Sequence, residues 1–123
     1  MRIVPRVITA VVGLFMLALG IWAMVDARSF YETIATYPPF NPHLFHDVGA
    51  FQAGIGFTLL YALLRRDALR VALWGASVGT ALHALSHWID RDLGGKSTDA
   101  PLLTALSAAV IIATAIYSSQ RER

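Results

Sequence analysis

The sequence contains no cysteine and few charged residues. Of its 123 residues, only 15% are Asp, Glu, Lys or Arg, against about 25% in ordinary soluble domains. Without cysteine, disulfides, thiolate metal sites and Cys nucleophiles are all excluded. Hydrophobic residues make up 56% of the chain, and a chain this short has too little interior to hide them from water. The composition therefore excludes a soluble or disordered protein and indicates a membrane protein.

Four long runs of the sequence carry no charge. They cover residues 7–25, 48–64, 71–89 and 100–120. A helix needs about 20 mostly apolar residues to cross about 30 Å of hydrocarbon. We therefore predict an all-α fold: an integral membrane four-helix up-and-down bundle that forms a single transmembrane domain over residues 1–123. Its helices are predicted to cover approximately residues 6–26, 42–65, 68–93 and 100–120.

Residues at the ends of these runs indicate helix boundaries. Asn41 suits the N-cap of the second helix, Pro42 suits its first turn, and Phe40 is placed to pack on Phe45 as a hydrophobic staple. Gly94 and Gly95 are predicted to end the third helix. The connection between the first two helices is rich in aromatic residues, and residues 29–36 are expected to form a short amphipathic helix at the outer surface.

The charged residues are divided unequally between the two ends of the predicted bundle. Seven basic residues fall at the end that holds both termini, whereas six of the eight acidic residues fall at the other end. Because basic residues concentrate in cytoplasmic loops, this predicts a bacterial plasma-membrane protein with both termini in the cytoplasm. No basic stretch is interleaved with aromatic residues, so nucleic acid is not an expected partner. The expected partners are the lipid bilayer and other membrane subunits or a second copy.

All four histidines lie in the non-cytoplasmic half of the predicted bundle. His46 on the second helix, and His83 and His87 on the third, end stripes of small residues spaced four apart. If these stripes face each other, His46 meets His83, His87 and Asp90 at one depth in the membrane. Three glycines in the stripes are predicted to be positions of close helix packing: Gly54, Gly75 and Gly79.

Such a cluster has the chemistry of a metal site. A His-x-x-x-His pair places two imidazoles one turn apart, and His46 and Asp90 complete a set of nitrogen and oxygen ligands suited to Zn, Fe, Mn or Cu(II). Further polar side chains would orient the ligands or contact a bound molecule: Asp47, His43 and Gln52. Haem or a quinone headgroup are other options for the same residues. A purely structural role, in which they join helix ends by hydrogen bonds, is also open.

Three motifs stand out in this polar half: Asn41-x-His43…His46-Asp47-x-Gly49, Gly54-x-Gly56 and His83-x-x-x-His87-x-x-Asp90. In these the chain resembles small bacterial four-helix membrane proteins of the broad DoxX-like type. The resemblance implies an up-and-down bundle in the plasma membrane, associated with quinone-linked or redox systems, and it implies no catalytic residue. The His-x-x-x-His pair is also similar, by analogy, to the zinc site of certain membrane hydrolases.

Two functional hypotheses follow from these residues. The first is an accessory or ligand-binding subunit of the plasma membrane, in a redox or transport assembly, with an outward-facing His/Asp site between the second and third helices. The alternative is a small metal-dependent membrane enzyme that uses His46, His83 and His87 as ligands, with a nearby carboxylate assisting a bound water.

Overall fold

The structure is a computed structural model that describes residues 3–65 and 67–120. These residues form five helices: α1 (Ile3–Val25), α2 (Ala27–Thr33), α3 (Pro42–Ala62), α4 (Ala68–Ile89) and α5 (Asp99–Ser119). The predicted all-α class is confirmed, but the predicted count of four helices is wrong. The fifth helix, α2, has 7 residues and lies in the connection where the sequence predicts a short helix over residues 29–36. Its N-cap Asp26 accepts a hydrogen bond from the Ser29 backbone N–H.

Three helices in the described ranges are long and apolar enough to cross a membrane: α1, α4 and α5. The chain therefore has the character of a membrane protein. The helix α3 is not among the three, which overturns the prediction of a four-span bundle. The reason lies in the first half of α3, where His43, His46, Asp47 and Gln52 lower the mean hydropathy.

The start of α3 follows its sequence signals closely. The Asn41 side chain accepts a hydrogen bond of 3.1 Å from the His43 backbone N–H, and Pro42 occupies the first turn. The rings of Phe40 and Phe45 stack with their centroids 5.8 Å apart. The predicted cap and staple are thus confirmed, because both depend on residues only a few positions apart.

The other boundaries shift by a few residues. The helix α1 begins at Ile3 rather than near residue 6, and α3 ends at Ala62 rather than near residue 65. The helix α4 ends at Ile89, well before residue 93, because the chain turns after Asp90, whose carbonyl accepts from Leu93 N–H at 2.9 Å. Gly94 and Gly95 follow this turn and belong to the loop, not to the helix end.

The helix α3 packs antiparallel against α1 through glycines on both helices. A Cβ atom added at Gly20 would lie 2.6 Å from the carbonyl oxygen of Gly49, and one added at Gly56 would lie 2.7 Å from that of Gly13. Real Cβ atoms do not approach a backbone oxygen so closely. These glycines therefore allow the two backbones to touch, the role that small residues serve between membrane helices.

The three glycines predicted to be packing positions have a different setting. At Gly54, Gly75 and Gly79, an added Cβ would meet no described atom within 4 Å. Gly54 and Gly75 instead line an open apolar groove of about 850 Å³ between α3 and α4. The two small-residue stripes are therefore separated by this groove over much of their length.

The helices α4 and α5 are joined by side-chain hydroxyls. Ser77 Oγ lies 2.8 Å from Thr114 Oγ1, and Thr80 Oγ1 donates to Ser107 Oγ at 3.5 Å. All four side chains are buried. Near the end of α4, the Trp88 indole N–H donates to Thr104 Oγ1 at 3.0 Å. These bonds fix α5 beside α4, the helix whose last turns carry His83 and His87.

Candidate functional site

One end of the molecule, called the loop end here, comprises α2, residues 34–41 and residues 90–98. Its two connecting segments are bound together, because the Gly95 N–H donates to the carbonyl of Thr36 at 3.1 Å and the Lys96 ammonium donates to the carbonyl of Thr33. Gly94 and Gly95 have φ values of +146° and +76°, in the region that favours glycine. A Cβ added at Gly95 would lie 2.6 Å from Tyr37 Oη. The glycine pair therefore lets the loop close over Tyr37.

Tyr37, His87 and His83 form a continuous chain of polar contacts. Tyr37 Oη lies 3.0 Å from His87 Nδ1, and the two rings meet edge to face with centroids 5.7 Å apart. The other ring nitrogen of His87, Nε2, lies 3.2 Å from Nε2 of His83. Both histidines lie on one face of α4, because they are four residues apart. This arrangement, called the Tyr37–His87–His83 chain here, joins the 34–41 connection to the last turns of α4.

Tyr37 is held as a neutral phenol. Burial raises the pKa of its hydroxyl above the ordinary value, and the negative charges of Asp99 and Asp90 raise that pKa further. A neutral phenol can donate to an unprotonated Nδ1 of His87 or accept from an Nδ1–H. Tyr37 therefore orients the His87 ring in either tautomer and leaves its Nε2 directed toward His83.

A pocket of about 210 Å³ opens beside this chain, lined by Tyr37 and His87 and by residues of α4, the 90–98 loop and the start of α5. Its charged residues already have partners. Arg91 Nε lies 3.7 Å from Asp92 Oδ2, and Asp99 Oδ2 accepts a hydrogen bond of 2.8 Å from the Lys96 backbone N–H. Drug-sized ligands occupy pockets of about 300–1,000 Å³. This pocket is therefore suited to a small molecule or to the headgroup of a larger one.

The structure brings together two of the four predicted metal ligands, His83 and His87. Within residues 3–65 and 67–120, no three His, Asp or Glu side chains lie close enough to hold a metal ion together. His46 is exposed on α3. The reason is the packing of α3 against α1, which leaves the groove between α3 and α4 where the sequence predicts contact.

The other predicted polar residues lie on α3, away from the Tyr37–His87–His83 chain. His43 Nε2 lies 3.5 Å from Asp47 Oδ2, and both side chains are largely exposed. Gln52 is partly buried on the same helix. None of these three lines the pocket beside Tyr37.

Sequence reasoning missed Tyr37, Gly95 and Lys96 as parts of the site. Tyr37 is separated from His87 by 50 residues, so no local spacing relates the two. The available signals were the apolar composition of residues 34–41, too apolar for a free loop, and the Gly94-Gly95 pair. Neither signal indicates which segment covers the other.

Comparison with protein-family models, with curated proteins and with solved structures finds no match for this chain. The fold and the spans define a helical membrane protein with a histidine–tyrosine cluster at one end. Its function is accordingly inferred from the geometry of that cluster.

Proposed function

We propose that this protein is a small plasma-membrane protein that binds a small polar ligand, or the polar headgroup of a lipophilic one, as an accessory or ligand-binding subunit. The observation that supports this proposal is the Tyr37–His87–His83 chain beside a pocket of about 210 Å³. Ionisable side chains near membrane spans are costly to keep and commonly serve binding or proton transfer.

The chemistry of the chain suggests the type of ligand. Imidazole and phenol groups donate and accept hydrogen bonds without carrying a fixed charge. The neighbouring charged residues already contact one another: Arg91 pairs with Asp92, and Asp99 accepts a hydrogen bond from the Lys96 backbone N–H. A ligand with carbonyl or hydroxyl oxygens, of which a quinone headgroup is an example, therefore suits the phenol and imidazole groups of this site.

The charge distribution supports an orientation for the site. Arg6, Arg65 and Arg70 lie at the end opposite the loop end, and basic residues concentrate on the cytoplasmic side of membrane proteins. We therefore place the loop end outside the bacterial cytoplasm and both termini inside, because α3 runs antiparallel beside α1 and returns the chain to the end where α1 begins. The open apolar groove between α3 and α4 supports association with another membrane subunit or a second copy.

Native mass spectrometry of the full chain, extracted gently from its own membranes, tests the ligand-binding role. We expect a ligand-bound species that is lost in His87→Ala and retained in His43→Ala, whose side chain is exposed on α3. The released molecule is then identified by its mass, with quinones as the first candidates. A wild-type protein without a bound species, or equal retention in both variants, would contradict the proposal.

The alternative hypothesis, a metal-dependent enzyme with three histidine ligands, has less support. Catalytic zinc sites usually have three protein ligands and an open position. His46 does not join His83 and His87 in a three-residue group within the described ranges. The three-histidine enzyme is therefore the weaker of the two hypotheses.

A further inference from the structure

We propose that His83 and His87 together chelate one divalent transition-metal ion through their Nε2 atoms, with Tyr37 as the residue that positions His87. This inference rests on the proposed ligand-binding function, and it names a metal ion as one component of what is bound. It requires neither His46 nor Asp90, and it differs in this from the four-residue site predicted from the sequence.

The separation of the two nitrogens supports chelation. Imidazole nitrogens bind zinc at about 2.0–2.1 Å, so two of them on a tetrahedral ion lie about 3.3 Å apart. The Nε2 atoms of His83 and His87 are 3.2 Å apart. The pair is thus already at the nitrogen–nitrogen spacing that one ion requires.

The contact between Tyr37 and His87 matches what metal-bound histidines require. A histidine that binds a metal through one ring nitrogen almost always makes a hydrogen bond with the other, which fixes its orientation. His87 Nδ1 has this contact, because Tyr37 Oη lies 3.0 Å away. His83 is exposed at the molecular surface, so the described residues leave the His83 side of the pair uncovered.

The ligand set limits which ions are suitable. Two neutral imidazoles and no thiolate suit Zn, Ni or Cu(II), and Cu(II) binds most tightly in the usual order of affinities. Two protein ligands leave further coordination positions for water or for oxygen atoms of a small molecule in the adjacent pocket. A polar ligand at the loop end would then bind partly through the ion.

Titration of the full chain with Cu(II), followed by calorimetry and electron paramagnetic resonance, tests this inference. The protein is purified in detergent with a tag that lacks histidine, so that the tag adds no competing imidazole. We expect one ion per chain and two coordinated imidazole nitrogens in the wild type. His83→Ala and His87→Ala should each leave one such nitrogen and weaken binding at least about tenfold, whereas the His43→Ala/His46→Ala double variant should bind as the wild type does.

Tyr37→Phe separates positioning from ligation. Loss of a hydrogen bond to a metal-bound histidine typically weakens metal binding about 10–100-fold, while both nitrogens remain on the ion. We therefore expect Tyr37→Phe to show weaker Cu(II) binding with an unchanged two-nitrogen spectrum. Equal affinity in Tyr37→Phe and the wild type would overturn the positioning role.

Circular dichroism checks that each variant retains its helices. If His87→Ala does not fold, His83→Ala still decides the question, because the His83 side chain is exposed. Chelation is wrong if the wild type shows fewer than two imidazole nitrogens, or if His43→Ala/His46→Ala loses as much affinity as His83→Ala. If Cu(II) does not bind but the mass-spectrometric ligand is lost in His87→Ala, the metal inference fails and the ligand-binding function stands.

Discussion

Tyr37 Oη lies 3.0 Å from His87 Nδ1, which joins the 34–41 connection to the end of α4. This contact crosses the loop end and involves two segments that are distant in the chain. It fixes the ring of His87, and through the 3.2 Å contact between Nε2 atoms it also determines how His83 and His87 meet. The geometry of the candidate site therefore depends on a loop residue as much as on the helix that carries the histidines.

Tyr37→Phe should destabilise the protein modestly. The change removes the hydroxyl but keeps the ring, and a typical hydrogen bond contributes about 0.5–1.5 kcal/mol to stability. Unfolding by SDS in mixed micelles measures the loss. Tyr61→Phe is the matched control. The exposed Tyr61 ring stacks on Phe57 near the end of α3, far from the loop end. Equal stabilities for the two variants would contradict a contribution from the Tyr37 hydroxyl.

Gly95→Ala should open the loop end. The backbone of Gly95 has φ +76°, and the new Cβ would lie 2.6 Å from Tyr37 Oη. A strained backbone of this kind costs about 1–3 kcal/mol, so both the stability and the Cu(II) affinity should fall. Gly79→Ala is the control, since its Cβ would meet no described atom within 4 Å. If Gly95→Ala unfolds at the same SDS fraction as the wild type, the loop does not pack on Tyr37.

The parts of the fold that the sequence predicts well are local. The cap at Asn41 and the staple between Phe40 and Phe45 involve neighbouring residues, and the structure contains both. Likewise, the spacing of His83 and His87 predicts their contact, because residues four apart share a helix face. Each of these features is decided within about two helical turns of the chain.

The choice of partner for α3 is not local, and here the sequence misleads. This helix carries small residues on two faces: one includes Gly49 and Gly56, and the other includes Ala50 and Gly54. Residue spacing predicts that either face can pack closely, but it does not indicate which face meets which helix. The structure uses the first face against α1 and leaves the second on the groove. The predicted meeting of His46 with His83 fails for this reason.

Gly20→Ala should therefore be destabilising and Gly54→Ala should not. The new Cβ at position 20 would lie 2.6 Å from the Gly49 carbonyl oxygen, whereas position 54 is open. Overpacking of this kind costs about 1–3 kcal/mol, while alanine at an open helical position gains up to about 1 kcal/mol in helix propensity. SDS unfolding of the two variants measures the difference. The reverse order would indicate that α3 packs through the face that carries Gly54.

The hydroxyl of Tyr37 should ionise above its ordinary pKa of 10.0, because burial and the charges of Asp99 and Asp90 raise the pKa in the folded protein. Below that pH the phenol is neutral in both folded and unfolded chains, so its contribution to stability is fully present. Above it the unfolded chain ionises first, and the contribution is lost as pH rises through the folded-state pKa.

Absorbance at the tyrosinate band, recorded against pH in the presence of a chelator, checks this titration. The difference between wild type and Tyr37→Phe isolates the one hydroxyl. Ionisation of Tyr37 at or below its ordinary pKa in the folded protein would show that the loop end is more open to water than its contacts indicate.

Ser77 and Thr114 should show a measurable coupling energy, since their hydroxyl oxygens lie 2.8 Å apart in the buried contact between α4 and α5. Hydrogen bonds between membrane helices contribute about 0.6 kcal/mol on average, and at most about 1.7 kcal/mol. A double-mutant cycle with Ser77→Ala and Thr114→Val, followed by SDS unfolding, measures this term. The control cycle pairs Ser77→Ala with Thr58→Val, because the Thr58 hydroxyl donates to Gly54 within its own helix. We expect coupling near zero in the control. Zero coupling in both cycles would mean that the Ser77 and Thr114 hydroxyls are merely adjacent and that their contact contributes nothing to holding α5 beside α4.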